Sequence, residues 1–299
     1  MDASDDIFRP VTLRDMPVIK SCLRYAGSRT CDYTVGGIYL WVDYFDYRFC
    51  VIDDTLFVRG VAAGMPTFAL PVGKMGFGDS LAFLKGYCSR FSLPLHFSSV
   101  PQDRLCLFPE DDGWIADRIP GWGDYLYDAS SLASLAGNAL KKKRNRFNRF
   151  VSDNPQFIFE PLTFGIVPEL KEAYAWLSPM PVGSPPVARY EREQVLHVLE
   201  NYMAYPFEGA VLRLGGGRIV AFALGEILGD TLYVHVEKMD HSVAGAGEAV
   251  NRLFASMMVR KYGIGYINRE DDAGDEGLRR AKMAYSPICV LEKYNVSLG

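Results

Sequence analysis

Residues 266–287 read YINREDDAGDEGLRRAKMAYSP, a stretch that gathers carboxylates, guanidiniums, a lysine and two tyrosines around two glycines. Asp271 and Asp272 are placed to take up a proton or to grip an ammonium. Arg269, Arg279 and Lys282 suit a phosphate or a carboxylate, the arginines through bidentate contacts and the lysine as a point charge. Tyr285 carries a hydroxyl that can donate to a leaving group, or a ring that can close a core. A buried strand predicted at 263–267 leads into this loop, Asp275 stands where a helix N-cap belongs, and Glu276 follows in the first turn, where the helix dipole favours negative charge. Leu278, Ala281, Lys282 and Tyr285 then share one helical face, with Arg279 and Arg280 turned elsewhere, until Pro287 stops the helix. Such a charge density between a strand end and a helix start suits a binding site. It suits equally a solvated loop and a surface helix knitted by pairs such as Asp275 with Arg279, and the residues alone leave both open.

A second set of candidates precedes it. Glu237 falls at the end of a predicted strand, Glu226 near the end of the strand before, and His235 shares the face of Glu237 because side chains two apart on a strand point together. Each glutamate can act as a base, grip an ammonium or sit in a structural ion pair, whereas a lone histidine in an apolar strand reads as core. Val243, Gly245 and Gly247 belong to SVAGAG (242–247), a glycine turn into a helix whose free N–H groups can hold phosphate. Glycine for close helix–sheet packing explains the turn as well. The run KKKRNRFNR (141–149) places Lys141, Lys142, Lys143, Arg144 and Arg146 on one predicted helix. That helix offers either a solvated basic face or a surface for the phosphates of tRNA or of an anionic head group.

Composition bounds the setting. The chain has 299 residues, nearly half of them hydrophobic, and a net charge of −4, which fits a folded protein and excludes a uniformly basic coat for nucleic acid. Six cysteines (Cys22, Cys31, Cys50, Cys88, Cys106, Cys289) form no CxxC and no metal-spaced set with the histidines, so no metal site is expected and a reducing, cytoplasmic compartment is. The start MDASDDIF lacks the form of a signal peptide, and no run is long and apolar enough to span a bilayer, which predicts a soluble protein.

The elements that position the candidates follow from periodicity and turns. Strands are predicted at 7–11, 49–52, 55–61, 66–72, 95–100 and 124–128, with helices from Thr12 to Tyr25, at 35–46, at about 79–91 after Gly76-Phe77-Gly78, and at 101–107. Residues 130–151 give the longest helical signal. After the turn at Asp153-Asn154-Pro155 come a strand (157–162), a helix (167–177), a proline-rich loop (179–186), a helix (190–205) and three meander strands (207–214, 218–227, 231–238). A glycine-led helix (247–262), a strand (264–268), the helix at 275–285 and a strand at 288–294 finish the chain. The two halves repeat one order, so the expectation is an α/β (α+β) protein of two duplicated units, 1–152 ending in the long basic helix and 153–299 carrying the site.

A three-strand meander, a glycine-led helix and a further strand and helix is the order of GNAT-type acyltransferases. More specific are SLASLAGNALKKKRNRFNRF (131–150), LYVHVEKMDHSVAGAGEAVNRLFA (232–255) and the 266–287 stretch, with DYTVGGIYLW (32–41) and GDYLYD (123–128). Together these resemble the soluble family related to the phosphatidylglycerol lysyltransferase C-terminal domain, over nearly the whole chain. The resemblance implies two tandem GNAT-like units, each a mixed, largely antiparallel sheet flanked by helices, with the active site in the second. It implies acyl or aminoacyl transfer, with aminoacyl-tRNA or acyl-CoA as donor substrate and no tightly bound cofactor. The acceptor would be a lipid, a peptide or a small amine or hydroxyl compound, and tRNA, an anionic lipid head group or a small amine the partners.

Such a transfer needs donor and nucleophile held together, a base for the departing proton and donors for the developing oxyanion. No Ser-His-Asp or Cys-His arrangement is visible, so direct attack is expected. Glu237, Asp271, Asp272 and Tyr285 are the catalytic candidates; Val243, Gly245, Gly247, Arg269, Arg279 and Lys282 the donor-binding ones; and the 141–146 cations the nucleic-acid-binding ones. A CoA-dependent N-acyltransferase and a non-catalytic module for an anionic ligand are the competing readings.

Overall fold

The computed structural model describes residues 6–299; residues 1–5, on which the reading of the acidic start rests in part, lie outside the described residues. The chain opens with β1 (Arg9–Pro10), α1 (Met16–Leu23) and α2 (Val35–Tyr39), then β2 (Arg48–Ile52), β3 (Thr55–Ala62), β4 (Met65–Phe68), β5 (Val72–Gly73), α3 (Phe77–Phe91), β6 (His96–Pro101) and β7 (Trp114–Arg118). It continues through β8 (Asp124–Asp128), α4 (Ala129–Ser134), α5 (Lys141–Asp153), β9 (Ile158–Pro161), α6 (Val167–Leu177) and α7 (Pro186–Glu200). The meander β10 (Phe207–Arg213), β11 (Ile219–Leu228) and β12 (Thr231–Met239) precedes α8 (Ala246–Tyr262), β13 (Tyr266–Asn268), α9 (Glu276–Met283), β14 (Cys289–Leu291) and β15 (Lys293–Leu298).

Two compact units result, residues 1–123 with 291–299, and residues 124–290. The first sheet runs β1-β2-β3-β4-β6-β15-β7, with β5 on β3; the second, taken from its β9 edge, runs β9-β10-β11-β12-β13-β8-β14. Position by position the two orders agree, and each sheet has a parallel pair at the same place, β4 with β6 and β12 with β13. The expected duplication of a mixed sheet flanked by helices is therefore present.

Four expectations need correction. The boundary does not fall at 152/153, because Leu132, Leu135, Leu140, Phe147 and Phe150 are buried in one core with Val220, Leu232 and Phe254, which ties α4 and α5 to the second unit. The helix expected over 130–151 is two helices, broken where Leu135 and Gly137 take positive φ (53° and 82°), and that expected over 35–46 ends at Tyr39 before a run of turns. The strand expected at 288–294 is also two: Cys289–Leu291 closes the second sheet and Lys293–Leu298 enters the first, between β6 and β7.

Within the second unit, β11 is buried along Ile219–Glu226, as its nearly unbroken apolar run requires of a central strand. Gly245 and Gly263 flank α8 at φ 82° and 64°, so glycine sets both ends of the helix that covers the meander.

Candidate functional site

β12 and β13 run parallel only from Thr231–Tyr233 against Tyr266–Asn268; β12 then continues to Met239 paired with β11 but not with β13. His235 and Glu237 project beyond that parting, and Arg269 and Glu270 follow β13 directly. A bulge between Leu224 and Gly225, which pair with Val236 and Val234, makes His235 the extra residue of β12 and re-aims its side chain. Gly225 permits the approach: a Cβ there would stand 2.4 Å from the carbonyl oxygen of Tyr233.

Arg269 and Glu237 form the centre of the site. The Arg269 side chain is 13% exposed and donates through Nη2 to Glu237 Oε1 at 2.9 Å, while Asn251 Nδ2 donates to Glu237 Oε2 at 3.1 Å. The Arg269 guanidinium lies 4.8 Å from the Tyr285 ring centroid and Lys143 Nζ 4.1 Å from the same centroid, both in cation–π range. Burial opposes the charge of Arg269, but Glu237, with Tyr127, Tyr285 and Glu248 behind it, together outweigh burial and raise the guanidinium pKa. Burial also pushes the Tyr285 phenol up, so it stays protonated. Two buried polar atoms beside Glu237 have no partner among the described residues: Arg269 Nη1, a donor, and Asn251 Oδ1, an acceptor. Buried polar atoms in proteins are ordinarily satisfied, so each of the two calls for a partner.

His235 forms a second buried cluster. Its Nδ1 lies 2.7 Å from Glu270 Oε1 and its Nε2 2.9 Å from Glu226 Oε1. Burial works to lower the imidazole pKa, but the two carboxylates outweigh it and raise the value to about 9. His235 is thus core, as its strand setting suggests, but as an imidazolium with two acidic partners. Glu226 is occupied in holding it.

The loop after β13 is anchored by Asp272. Tyr125 donates to its Oδ2 at 2.6 Å, Arg279 bridges both oxygens at 2.9 and 3.1 Å, and Gly274 N donates to Oδ1 at 2.9 Å. Led by the Arg279 bond, these hold the Asp272 carboxyl down at about 2. Asp271 accepts from Ala273 N at 2.8 Å, and Lys282, whose pKa burial lowers, donates to the carbonyl oxygens of Arg269 (2.6 Å) and Asp271. Asp275 caps α9 as expected, accepting from Leu278 N at 2.7 Å. The expected helical face is not formed as one: α9 buries none of its residues and Leu278 is 49% exposed, whereas Tyr285, beyond the helix end, is buried.

The basic helix and the glycine turn meet each other. A Cβ on Gly245 would lie 2.7 Å from Arg146 O and 2.9 Å from Phe150 Cβ, so α5 packs directly on the start of α8. Val243 N donates to Asp240 O at 3.0 Å, and a Cβ on Gly247 would touch Met239. Glu248, in the first turn of α8, takes Lys143 and Arg146, each at 3.2 Å. Arg144 donates to the carbonyl oxygens of Leu135 and Gly137, holding the break between α4 and α5. Lys141 and Lys142 remain exposed.

Sequence reasoning missed Asn251, Glu248, Glu270, Tyr125 and Tyr127, the last 5.9 Å by its ring from the Arg269 guanidinium. A signal existed for two of them. Glu248 and Asn251 are polar residues three apart within the buried face of α8, where apolar side chains belong.

The fold is a tandem GNAT-like one, built of two mixed α/β units. The chain belongs to the family described as phosphatidylglycerol lysyltransferase, C-terminal, whose model matches residues 23–297. A conserved protein of unknown function from Bacteroides thetaiotaomicron is 32% identical, with 98% of this chain and 99% of that one covered and a TM-score of 0.89. The L-PGS structure from Bacillus licheniformis, 15% identical, covers 96% and 92% with a TM-score of 0.67. A tandem GNAT protein from the clavulanic acid biosynthesis pathway, 10% identical, covers 98% and 98% with a TM-score of 0.51. The last two likenesses concern the fold. No curated protein matches. No helix among the described residues is long and apolar enough to cross a membrane.

Proposed function

We propose that the protein is an aminoacyltransferase that takes its group from aminoacyl-tRNA and passes it to an amine or hydroxyl of a lipid, peptide or small molecule, with the chemistry in the second unit. The observation that carries this reading is the open donor and acceptor, Arg269 Nη1 and Asn251 Oδ1, on either side of Glu237. A group that both accepts and donates hydrogen bonds, such as an aminoacyl ester with its free amine, matches that pair. In the transfer the acceptor nucleophile attacks the ester carbonyl, the new amide or ester bond forms, the bond to the ribose oxygen breaks, and the acceptor's proton ends on that oxygen. Arg269, held by Glu237, faces the developing oxyanion, and protonated Tyr285 is the donor to the leaving oxygen.

Exposed Lys141 and Lys142 supply the phosphate contacts. An acyl-CoA donor is the alternative, but its pyrophosphate would need the 243–247 turn, where α5 already packs on Gly245. The test uses a tRNA pool charged with labelled amino acids, mixed with the protein and with phosphatidylglycerol vesicles or a small amine. The native protein should move label to an acceptor and Tyr285→Phe should not. Absence of transfer, together with no salt-sensitive tRNA binding, removes the reading.

A further inference from the structure

The first unit holds a cavity of about 220 Å³ that the reading of the second unit does not use. Its lining mixes apolar residues, Leu70, Val72 and Leu107 among them, with Ser28, Ser80 and Arg104. The cavity is smaller than the roughly 300–1,000 Å³ of a drug-sized pocket, so its occupant is small.

Three features converge on it. Met75 and Phe77 line it at the start of the 15-residue α3, whose N-cap is Gly76 and which no side chain caps, so first-turn N–H groups lack an intrahelical partner there. Arg104 donates to Gly27 O with one nitrogen, and a Cβ on Gly27 would occupy the place of that guanidinium. Independently, Ser80 is 1% exposed, and its Oγ has no hydrogen-bond partner among the described residues. A buried hydroxyl without a partner inside a helix is uncommon unless something bound there satisfies it. Asp79, the acid of that first turn, is exposed and is not part of the lining.

We infer that this cavity is a binding site for a small amphiphilic anion, a phosphate or carboxylate head on a short apolar body. Arg104 and the start of α3 take the head, Ser80 Oγ donates to it, and the apolar side chains of the lining take the body. The site is independent of the proposed transfer.

The test is binding of hexyl phosphate, hexanoate and neutral hexanol to the full chain, by calorimetry and by the rise in melting temperature. At least one anion should bind tenfold or more tightly than hexanol, and the two anions tell a phosphate head from a carboxylate. Arg104→Gln should erase that advantage. Ser80→Ala should leave the free protein as stable or more so, because it removes the unpartnered hydroxyl, yet weaken the anion several-fold; a merely structural serine would not divide the two readouts this way. Glu237→Gln should leave this binding unchanged. Equal binding of hexanol and the anions, no binding of either anion, or anion affinity untouched by both Arg104→Gln and Ser80→Ala overturns the assignment.

Discussion

Glu237 commits both carboxylate oxygens to neighbours from different elements, Oε1 to Arg269 after β13 and Oε2 to Asn251 of α8. The pair is largely buried, so removing one partner leaves the other charge uncompensated. Arg269→Gln is expected to cost about 3–5 kcal/mol of unfolding free energy. The double change Arg269→Gln with Glu237→Gln should cost less than the sum of the single ones, and urea denaturation of all four proteins measures the coupling.

His235 makes a pH prediction. Its folded pKa of about 9 lies above the ordinary value of 6.5, so the stability it contributes is complete below about 6.5 and is lost as pH rises through 9. The melting temperature of the native protein should fall across that window. In His235→Gln the fall should be shallower, and an unchanged slope would show that the imidazolium is not the group responsible.

Asp272 works in the opposite sense. Its folded pKa of about 2 lies below the ordinary 3.8, so its contribution is present above about 4 and is lost as pH falls through 2. Arg279 is half exposed, and solvent screening reduces what that pair contributes. Asp272→Asn should therefore loosen the loop rather than unfold the chain, and hydrogen exchange at the amide of Gly274, which donates to Asp272, should speed up.

The basic helix divides into two kinds of cation. Lys141→Ala with Lys142→Ala should weaken tRNA binding and leave the melting temperature within a degree or so. The slope of log affinity against log salt should become shallower by up to about one for each phosphate that is no longer neutralised. Lys143→Ala should instead lower the melting temperature, because it removes a largely buried partner of Glu248 and a cation over Tyr285.

Gly245→Ala tests the packing of α5 on α8. The residue sits at φ 82° with Arg146 O only 2.7 Å from any Cβ, so the change should cost at least about 1–3 kcal/mol in thermal or urea unfolding.

Local chemistry made much of this legible from the sequence. The meander, the Asp275 cap and the glycines that flank α8 follow from propensities that operate within a few residues. The doubled unit showed in element order, and Arg269, Glu237 and Tyr285, named from their strand and loop settings, do come together. What stayed hidden depends on distant partners. Leu135 gives no turn signal, yet it takes a left-handed φ and ends α4. The residues left Asp272 open between a base and a structural ion pair, because one of its partners, Tyr125, lies far back in the chain. Nothing in the residues around 293–298 says that they belong between strands of the opposite half of the sequence.

That last strand has a consequence for biosynthesis. β6 and β7 both pair with β15, so as the chain leaves the ribosome the first sheet stays split until residues 293–298 have been made. Until then β7 presents unpaired backbone to the cell, and closing the sheet must wait for a pairing between residues far apart in the chain. The early-made unit is therefore finished last, and nascent chains stalled before that point are the species most in need of a chaperone.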